Sequence, residues 1–427
     1  MILRNSAILA FFSIVSLILG IFRDRLLAQV VGVGPMLDVY NAAFRIPDLL
    51  YGVFFAVVSA QTVVPFITKA VHEDEKDLVE KFNSLFFFFG FTLIVVSIIT
   101  ALFLPFVAPY VVPGFDEFQR HYFVIASLIL MVQPLFLGLS ALVSSLAQVK
   151  HKFILYSTAP LIYTLTIIAS IPLLYPRYGV IGIACGVVVG AILSFGIQSY
   201  TLYEAKMKLS LSMFSWAHIM SHMRVAVPRS LSTVVSRVRE LVYAAIATTL
   251  GVGALSVYLF AQRVIEAFIQ VIVQSAATAT LPLLANKHSR GEHKDYTKIL
   301  KTNIITIFTM AVIAAAFIIF FRDTIVHVLY GNTPRAADIA FMVKYLAFTL
   351  PAYAMSFYFV TAFSATKDTM GLFYANVVAT GLGVVALLTA RSMGEGLFSL
   401  VYASWTMNVV YLLLLGFFYS RKKKLSQ

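Results

Sequence analysis

Cysteine is nearly absent. Cys185 is the single one in 427 residues and lies in an apolar run, which excludes disulfides and any cysteine-based metal site. Charge is scarce too: Asp, Glu, Lys and Arg make up 12% of the chain, against roughly 25% in soluble proteins. Hydrophobic residues reach 60% and mean hydropathy is +0.90. Together these values exclude a soluble globular protein. The motifs of common catalysis are missing as well. There is no G-x-x-x-x-G-K-[ST], so the chain itself is not expected to hydrolyse ATP, and no H-E-x-x-H. The eight histidines are scattered and show no zinc-ligand spacing. No Ser/His/Asp set is suggested by position, so enzyme chemistry is not expected.

What is present is apolar sequence in long runs. A membrane span needs about 20 largely apolar residues. Twelve candidates meet that length, at 5–30, 37–68, 84–110, 120–148, 153–174, 179–203, 225–249, 254–284, 300–321, 337–365, 371–390 and 396–419. The first resembles a signal peptide but lacks a small-x-small cleavage site, and is read as an uncleaved first helix. Basic residues at alternate span ends divide 19 against 5, and Arg421 through Lys424 mark the richer side. The positive-inside rule then places both termini in the cytoplasm. The net charge of +13 is accounted for by loops and interior arginines, and does not point to nucleic acid.

The chain repeats itself. Pro65 and Pro282, Pro134 and Pro351, Lys150 and Lys367, and Gly179 and Gly396 all share an offset of 217 residues. Gly32 and Gly34 match Gly251 and Gly253; after a one-residue gap, Tyr40, Arg45 and Asp48 match Tyr258, Arg263 and Glu266. Six spans per half is an even number, so both halves cross in the same sense and a pseudo-two-fold axis runs along the membrane normal. The expected architecture is all-α, with a six-helix lobe at 1–205, a cytoplasmic or interfacial linker at 206–224, and a second six-helix lobe at 225–427. The Met and Trp residues of that linker suggest an amphipathic segment at the membrane surface. The charged loops 70–82 and 286–299 read as solvated faces.

Charges inside the apolar runs carry the functional argument. Each costs about 2.5–3.5 kcal/mol on insertion scales, so such residues face a protein interior or a wet cavity. Arg23, Arg25, Arg45, Arg229, Arg237, Arg239 and Arg263 stand against Asp24, Asp38, Asp48, Glu240 and Glu266, a surplus of 7 − 5 = +2. Guanidinium forks stay charged at any working pH and bind phosphate bidentately. A net positive interior wants an anion. The bland alternative is that neighbouring acids and bases only neutralise one another to hold helices together. Arg25 and Arg237 have stems long enough to reach the interface instead.

The stretch SLILGIFRDRLLAQVVGVGPMLDVYNAAFRIPDLL, from Ser16 to Leu50, resembles the opening of the MurJ/MviN family of lipid II flippases. The segment from Ser256 to Glu266, with Tyr258, Ala261 and Arg263, resembles a second family element. The resemblance implies a two-lobed exporter that moves a lipid-linked peptidoglycan precursor from the inner to the outer leaflet. It implies that Arg23, Arg263, Asp38, Ser256 and Glu266 serve the substrate. Three positions depart from the family pattern: Leu17 and Tyr51 stand where it has arginines, and Gln262 stands where it has Asp. Arg25, Arg45 and Arg229 are the candidates to compensate. The chain given ends after the twelfth candidate span, where family members commonly add two helices. Asn376 is followed one turn on by Thr380 where some members carry an acid for sodium, so no metal site is assigned.

The expectation is therefore a monomeric flippase in the bacterial cytoplasmic membrane, working by alternating access through a cationic cavity between the lobes. Its partners are lipid II or a related polyprenyl-diphosphate glycolipid and the surrounding membrane lipids. Arg23, Arg45 and Arg263 would line the cavity, with Asp38, Asp48 and Glu266 as near partners. No cofactor is expected; coupling to an ion or to the membrane potential is left open. Three other readings stand beside it: an exporter of another polyprenyl-diphosphate glycan, a multidrug exporter of the same superfamily, and a non-transporting scaffold with a degenerate flippase fold.

Overall fold

The computed structural model describes residues 2–58, 63–64, 66–67, 75–150, 152–290, 292–365 and 369–425. Pro65, Lys367 and the run 71–74 lie outside the described residues, as do the side chains of Arg229 and Pro282. Every regular element among the described residues is helical. In chain order the first half holds α1 (Ile2–Leu26), α2 (Pro35–Ala43), α3 (Arg45–Val58), α4 (Glu75–Val111), α5 (Glu117–Leu130), α6 (Gln133–Val149) and α7 (Phe153–Glu204). Then follow α8 (Trp216–Thr248), α9 (Ala254–Ile269), α10 (Ser275–Ser289), α11 (His293–Tyr330), α12 (Ala336–Ala347), α13 (Leu350–Ala365), α14 (Thr369–Ser392) and α15 (Phe398–Leu425).

Local chemistry explains the breaks. Pro35 opens α2, where its missing N–H costs nothing, and Gly32 just before it holds a left-handed φ of 80°. Asp116 caps α5: its side chain accepts from the Gln119 N–H at 2.7 Å, and the Asp116 N–H donates to the Gln119 side chain at 3.1 Å. Pro134 sits in the first turn of α6 and Pro351 in the first turn of α13. Each thus opens the second part of a broken helix, and the α12–α13 break bends by 55°. Gly179 and Gly396 also share a conformation, with φ of 57° and 52°. The 217-residue repeat is therefore visible in the backbone as well as in the letters.

Eight helical stretches are long and apolar enough to cross a membrane, nine with the bent pair, among the described residues. One of them, α7, has 52 residues, which as a straight rod would measure about 78 Å, more than twice a bilayer. It is instead a hairpin. Gly179 has ψ −146° and interrupts the helix, a conformation all but closed to other residues. Across the turn, the Ser194 hydroxyl donates to the Ala159 carbonyl at 3.1 Å, and the Gln198 amide donates to the Leu155 carbonyl at 2.8 Å. Gly182, Gly186 and Gly190 form the close seam: a Cβ on Gly186 would collide with the Ser170 side chain, and one on Gly190 would stand 3.1 Å from the Tyr163 carbonyl oxygen. In lipid, where hydrophobic burial does not drive helices together, such small-residue seams let backbones approach and gain dispersion contact.

The chain forms two compact units, Met1–Thr249 and Leu250–Gln427. In the first, α8 packs along α3 and α4, so the division falls 25 residues after the start of the expected second lobe. Leu78, Phe82, Leu85 and Phe89 on α4 join Leu142, Val143 and Leu146 on α6 in one buried cluster, with Met207 from the segment before α8 and Ile219 from its first turn. In the second unit α14 pairs with α15, and α11 with α12 and α13. Phe359, Phe363, Leu372, Ala375 and Leu415 form its buried cluster there.

Candidate anion site

Arg23 and Asp24 are adjacent on α1, so their side chains leave the helix about 100° apart and would not ordinarily meet. Here the guanidinium folds back. Its Nε and Nη2 both donate to Asp24 Oδ1, at 3.0 and 2.9 Å. Asp24 is buried, and Tyr40 and Tyr163 lie within electrostatic reach of Arg23. A guanidinium carries five N–H groups. Two are used on Asp24, so 5 − 2 = 3 have no partner among the described residues.

A second group forms around α3. Arg45 opens that helix and Asp48 follows in its first turn. The Gln133 amide donates to Asp48 Oδ1 at 3.4 Å, and Arg45, Arg237 and Glu240 lie within electrostatic reach of the same carboxylate. Arg237 comes from α8 and donates through Nη1 to Glu240 at 2.9 Å. Its stem crosses α3 at Gly52, where a Cβ would stand 2.5 Å from the Arg237 Nε. Only a residue without a side chain leaves that passage. Tyr51, the neighbour of Gly52, is in electrostatic reach of both Asp48 and Arg237. A guanidinium from another helix therefore stands beside the position where the resemblance would put an arginine.

The second unit holds the third group. Arg263 lies over the Phe260 ring at 5.6 Å, a cation–π contact. Tyr330 stacks on that ring at 4.4 Å and 4°, and its hydroxyl donates to the Phe260 carbonyl at 2.8 Å. The platform under Arg263 is thereby held at two points. Ser256 is fully buried in the first turn of α9, at the repeat position of Asp38, which is buried in the first turn of α2. Glu266 is exposed, whereas its repeat counterpart Asp48 is half-buried. Gln262 donates to the Tyr258 hydroxyl at 2.7 Å.

Arg23 takes its own neighbour Asp24 as its hydrogen-bonded acid. Arg45 and Asp48 do come within electrostatic reach of each other. Arg25 is exposed at the end of α1, and the side chain of Arg229 lies outside the described residues. Gln133, Tyr163 and Arg237 join the charged groups without having been singled out as substrate residues. One sequence signal for Arg237 existed: it precedes Glu240 by three, the spacing that Arg45–Asp48 and Arg263–Glu266 share. Tyr163 and Gln133 carried none, because tyrosine and glutamine occur throughout such helices.

The groups share one chemistry. Asp24 balances Arg23, and Asp48 and Glu240 lie beside Arg45 and Arg237, which makes these guanidiniums tolerable in an apolar fold. An incoming oxyanion would then compete with carboxylates for donors already held in place.

A profile described as "Lipid II flippase MurJ" matches residues 27–427. The chain is 21% identical over 422 residues to the "Probable lipid II flippase MurJ" of Rickettsia prowazekii (strain Madrid E), covering 96% of this chain and 83% of that one. It superposes on a solved structure described as "Lipid II flippase MurJ, inward closed conformation" with a TM-score of 0.83, at 20% identity over 96% of this chain and 87% of the other. An inward-facing multidrug resistance transporter of the MATE family gives a TM-score of 0.77 at 16% identity, covering 96% and 94%. At these identities the two structures establish the fold alone.

Proposed function

The chain belongs to the MurJ family of lipid II flippases, and from that premise we propose that it carries lipid II across the membrane by alternating access, with the diphosphate held by interior arginines, Arg23 first among them. The observation that carries this reading is the profile match, which runs from residue 27 to the last residue. The arginine geometry supplies the mechanism. Arg23 offers three open N–H groups, fixed in direction by the bond to Asp24. A diphosphate oxygen that reaches them forms charge-assisted hydrogen bonds without further ordering of the side chain. Arg45 and Arg237, both near Asp48 in the same unit, bring guanidinium charge of the same kind. The polyprenyl tail stays in lipid while the polar head crosses inside the protein, which removes most of the barrier to flipping. An inside-negative potential favours outward movement of an anionic head by about 2.3 kcal/mol per charge per 100 mV, so no bound cofactor is required for direction.

We read the protein as a monomer of the bacterial cytoplasmic membrane with twelve spans. Nine candidates include the α7 hairpin, which counts twice and makes ten; α1 and the arginine-rich α8 make twelve. The MATE-type fold is shared with exporters of another substrate class. The surplus of arginine over acid favours an anionic substrate over a cationic drug.

The test is lipid II translocation by the purified protein in vesicles. A charge-assisted hydrogen bond contributes about 1.5–3 kcal/mol, or roughly 10- to 100-fold in rate. Arg23→Glu should lower flipping by at least that factor while the protein stays folded. Arg23→Lys should keep part of the rate, since it retains the charge and loses the fork. Parental flipping by Arg23→Glu would remove Arg23 from the mechanism; no flipping by the parental protein would remove lipid II.

A further inference from the structure

The segment from Lys206 to Arg224 is tied to the first unit along one edge. The Asn83 amide on α4 donates to the Lys208 carbonyl at 2.9 Å, and the Ser210 N–H donates to Asn83 Oδ1 at 2.7 Å. The Ser215 N–H donates to the Ser84 hydroxyl at 2.9 Å. Met207, Ile219 and His222 are buried on the same side, with His222 against the Val57 carbonyl at 3.0 Å. The segment is therefore a rigid strap with one face committed to the protein.

Its other face is unusual in two ways. Leu209, Leu211 and Trp216 are exposed, the last two by 69% and 64%. Lys206, Lys208 and Arg224 are exposed as well and make no ion pair among the described residues. The nearby acids pair with other groups: Glu204 with Lys152, and Glu80 with Lys76 and with His218 of the strap itself. From 205 to 239 the chain holds six Lys or Arg residues and not one Asp or Glu.

Lys206 adds an independent observation. It has φ 51°, the one non-glycine residue with positive φ among those described. It occupies the left-handed position of a helix-ending motif: the Lys206 N–H donates to the Tyr203 carbonyl at 3.0 Å and the Met207 N–H to the Leu202 carbonyl at 2.9 Å. Glycine is the usual residue there because a Cβ is strained. A lysine is held in that strain at the point where the strap leaves the membrane helix. Strain kept at a single exposed cation points to a use for the cation.

We propose that this strap is a binding edge for anionic phospholipid of the surrounding bilayer, with Lys206, Lys208 and Arg224 on the headgroup phosphates and Leu209, Leu211 and Trp216 at the acyl border. Exposed cations beside exposed Trp and Leu match the interface chemically: the rings and leucines enter the headgroup boundary, and the ammonium groups stay at phosphate level. The fixed inner face means that lipid bound here stabilises the packing of the strap on α4. This inference does not rest on the flippase reading.

The test compares melting temperatures of the full chain in nanodiscs of phosphatidylcholine with and without phosphatidylglycerol. Phosphatidylglycerol should raise the parental melting temperature by about 3–6 °C, and raised salt should reduce that gain. Lys206→Gln/Lys208→Gln/Arg224→Gln should lose more than half of it. Lys206→Gly keeps the turn and relieves the strain, so it should melt higher than the parent in neutral discs yet gain less from phosphatidylglycerol. That pair of opposite shifts separates lipid binding from a structural role of Lys206. An undiminished gain in both variants, or an equal gain from inorganic phosphate in neutral discs, overturns the proposal.

Discussion

At the scale of single residues, one passage decides where a guanidinium goes. Gly52 lets the stem of Arg237 cross α3 and reach the neighbourhood of Asp48 and Tyr51. Arginine stems bend at low cost, so a methyl at Gly52 should displace the head without breaking the packing. Gly52→Ala is expected to shift the melting temperature by less than about 2 °C, yet to reduce flipping about tenfold, because a displaced charge no longer meets its ligand. A vesicle assay beside a thermal melt reads both quantities. A large loss of stability would instead mean that the passage serves packing. None of this was legible in the letters. Arg237 was visible as a charge in an apolar run, but its route over Gly52 depends on two helices that are 185 residues apart in sequence, since 237 − 52 = 185.

At the scale of elements, the α7 hairpin shows how much a seam of small residues settles. Pro172, Pro176 and Gly179 mark the turn in the sequence, and both arms were expected as separate spans. Their mutual approach is governed by Gly182, Gly186 and Gly190, spaced by four and so aligned on one face. Gly186→Leu forces a side chain into the space of Ser170. Overpacking of this kind costs about 1–3 kcal/mol. For a chain of this length that should lower the melting temperature by about 1–3 °C, with Gly196→Leu, whose Cβ meets nothing within 4 Å, as the control that changes little. Equal effects at the two positions would show that the seam is not a close contact. The single span expected at 120–148 is one stretch, Glu117–Val149, while the one expected at 337–365 is bent by 55° between α12 and α13. The sequence showed Pro351 but not the bend, since a proline in a first turn is compatible with a straight start, as at Pro134, as well as with a kink.

At the scale of the whole molecule, topology is the property to measure. An extramembrane reporter fused after Gln427 should be active only on the cytoplasmic side, because Arg421 through Lys424 place four cations beside the last span. Activity only on the outer side would invert every span assignment. The division into units is a separate matter. The second lobe expected from the repeat begins at 225, within α8, whereas α8 packs with the first unit, along α3 and α4. Sequence similarity records descent by duplication; packing records which faces are complementary in the folded chain.

The sequence alone determined the class of the protein, its apolar spans, its repeat and the set of candidate arginines. These follow from composition and spacing, and the energy of a charge or an apolar run in lipid is set by the residue itself. Tertiary structure alone decided which charge meets which. Arg23 turned to Asp24, and Arg237 crossed Gly52 toward Asp48. Pairing of this kind is decided by a few ångströms between helices, because the interaction of charges and the reach of a hydrogen bond fall off over that distance, and a linear pattern of residues carries no such distances.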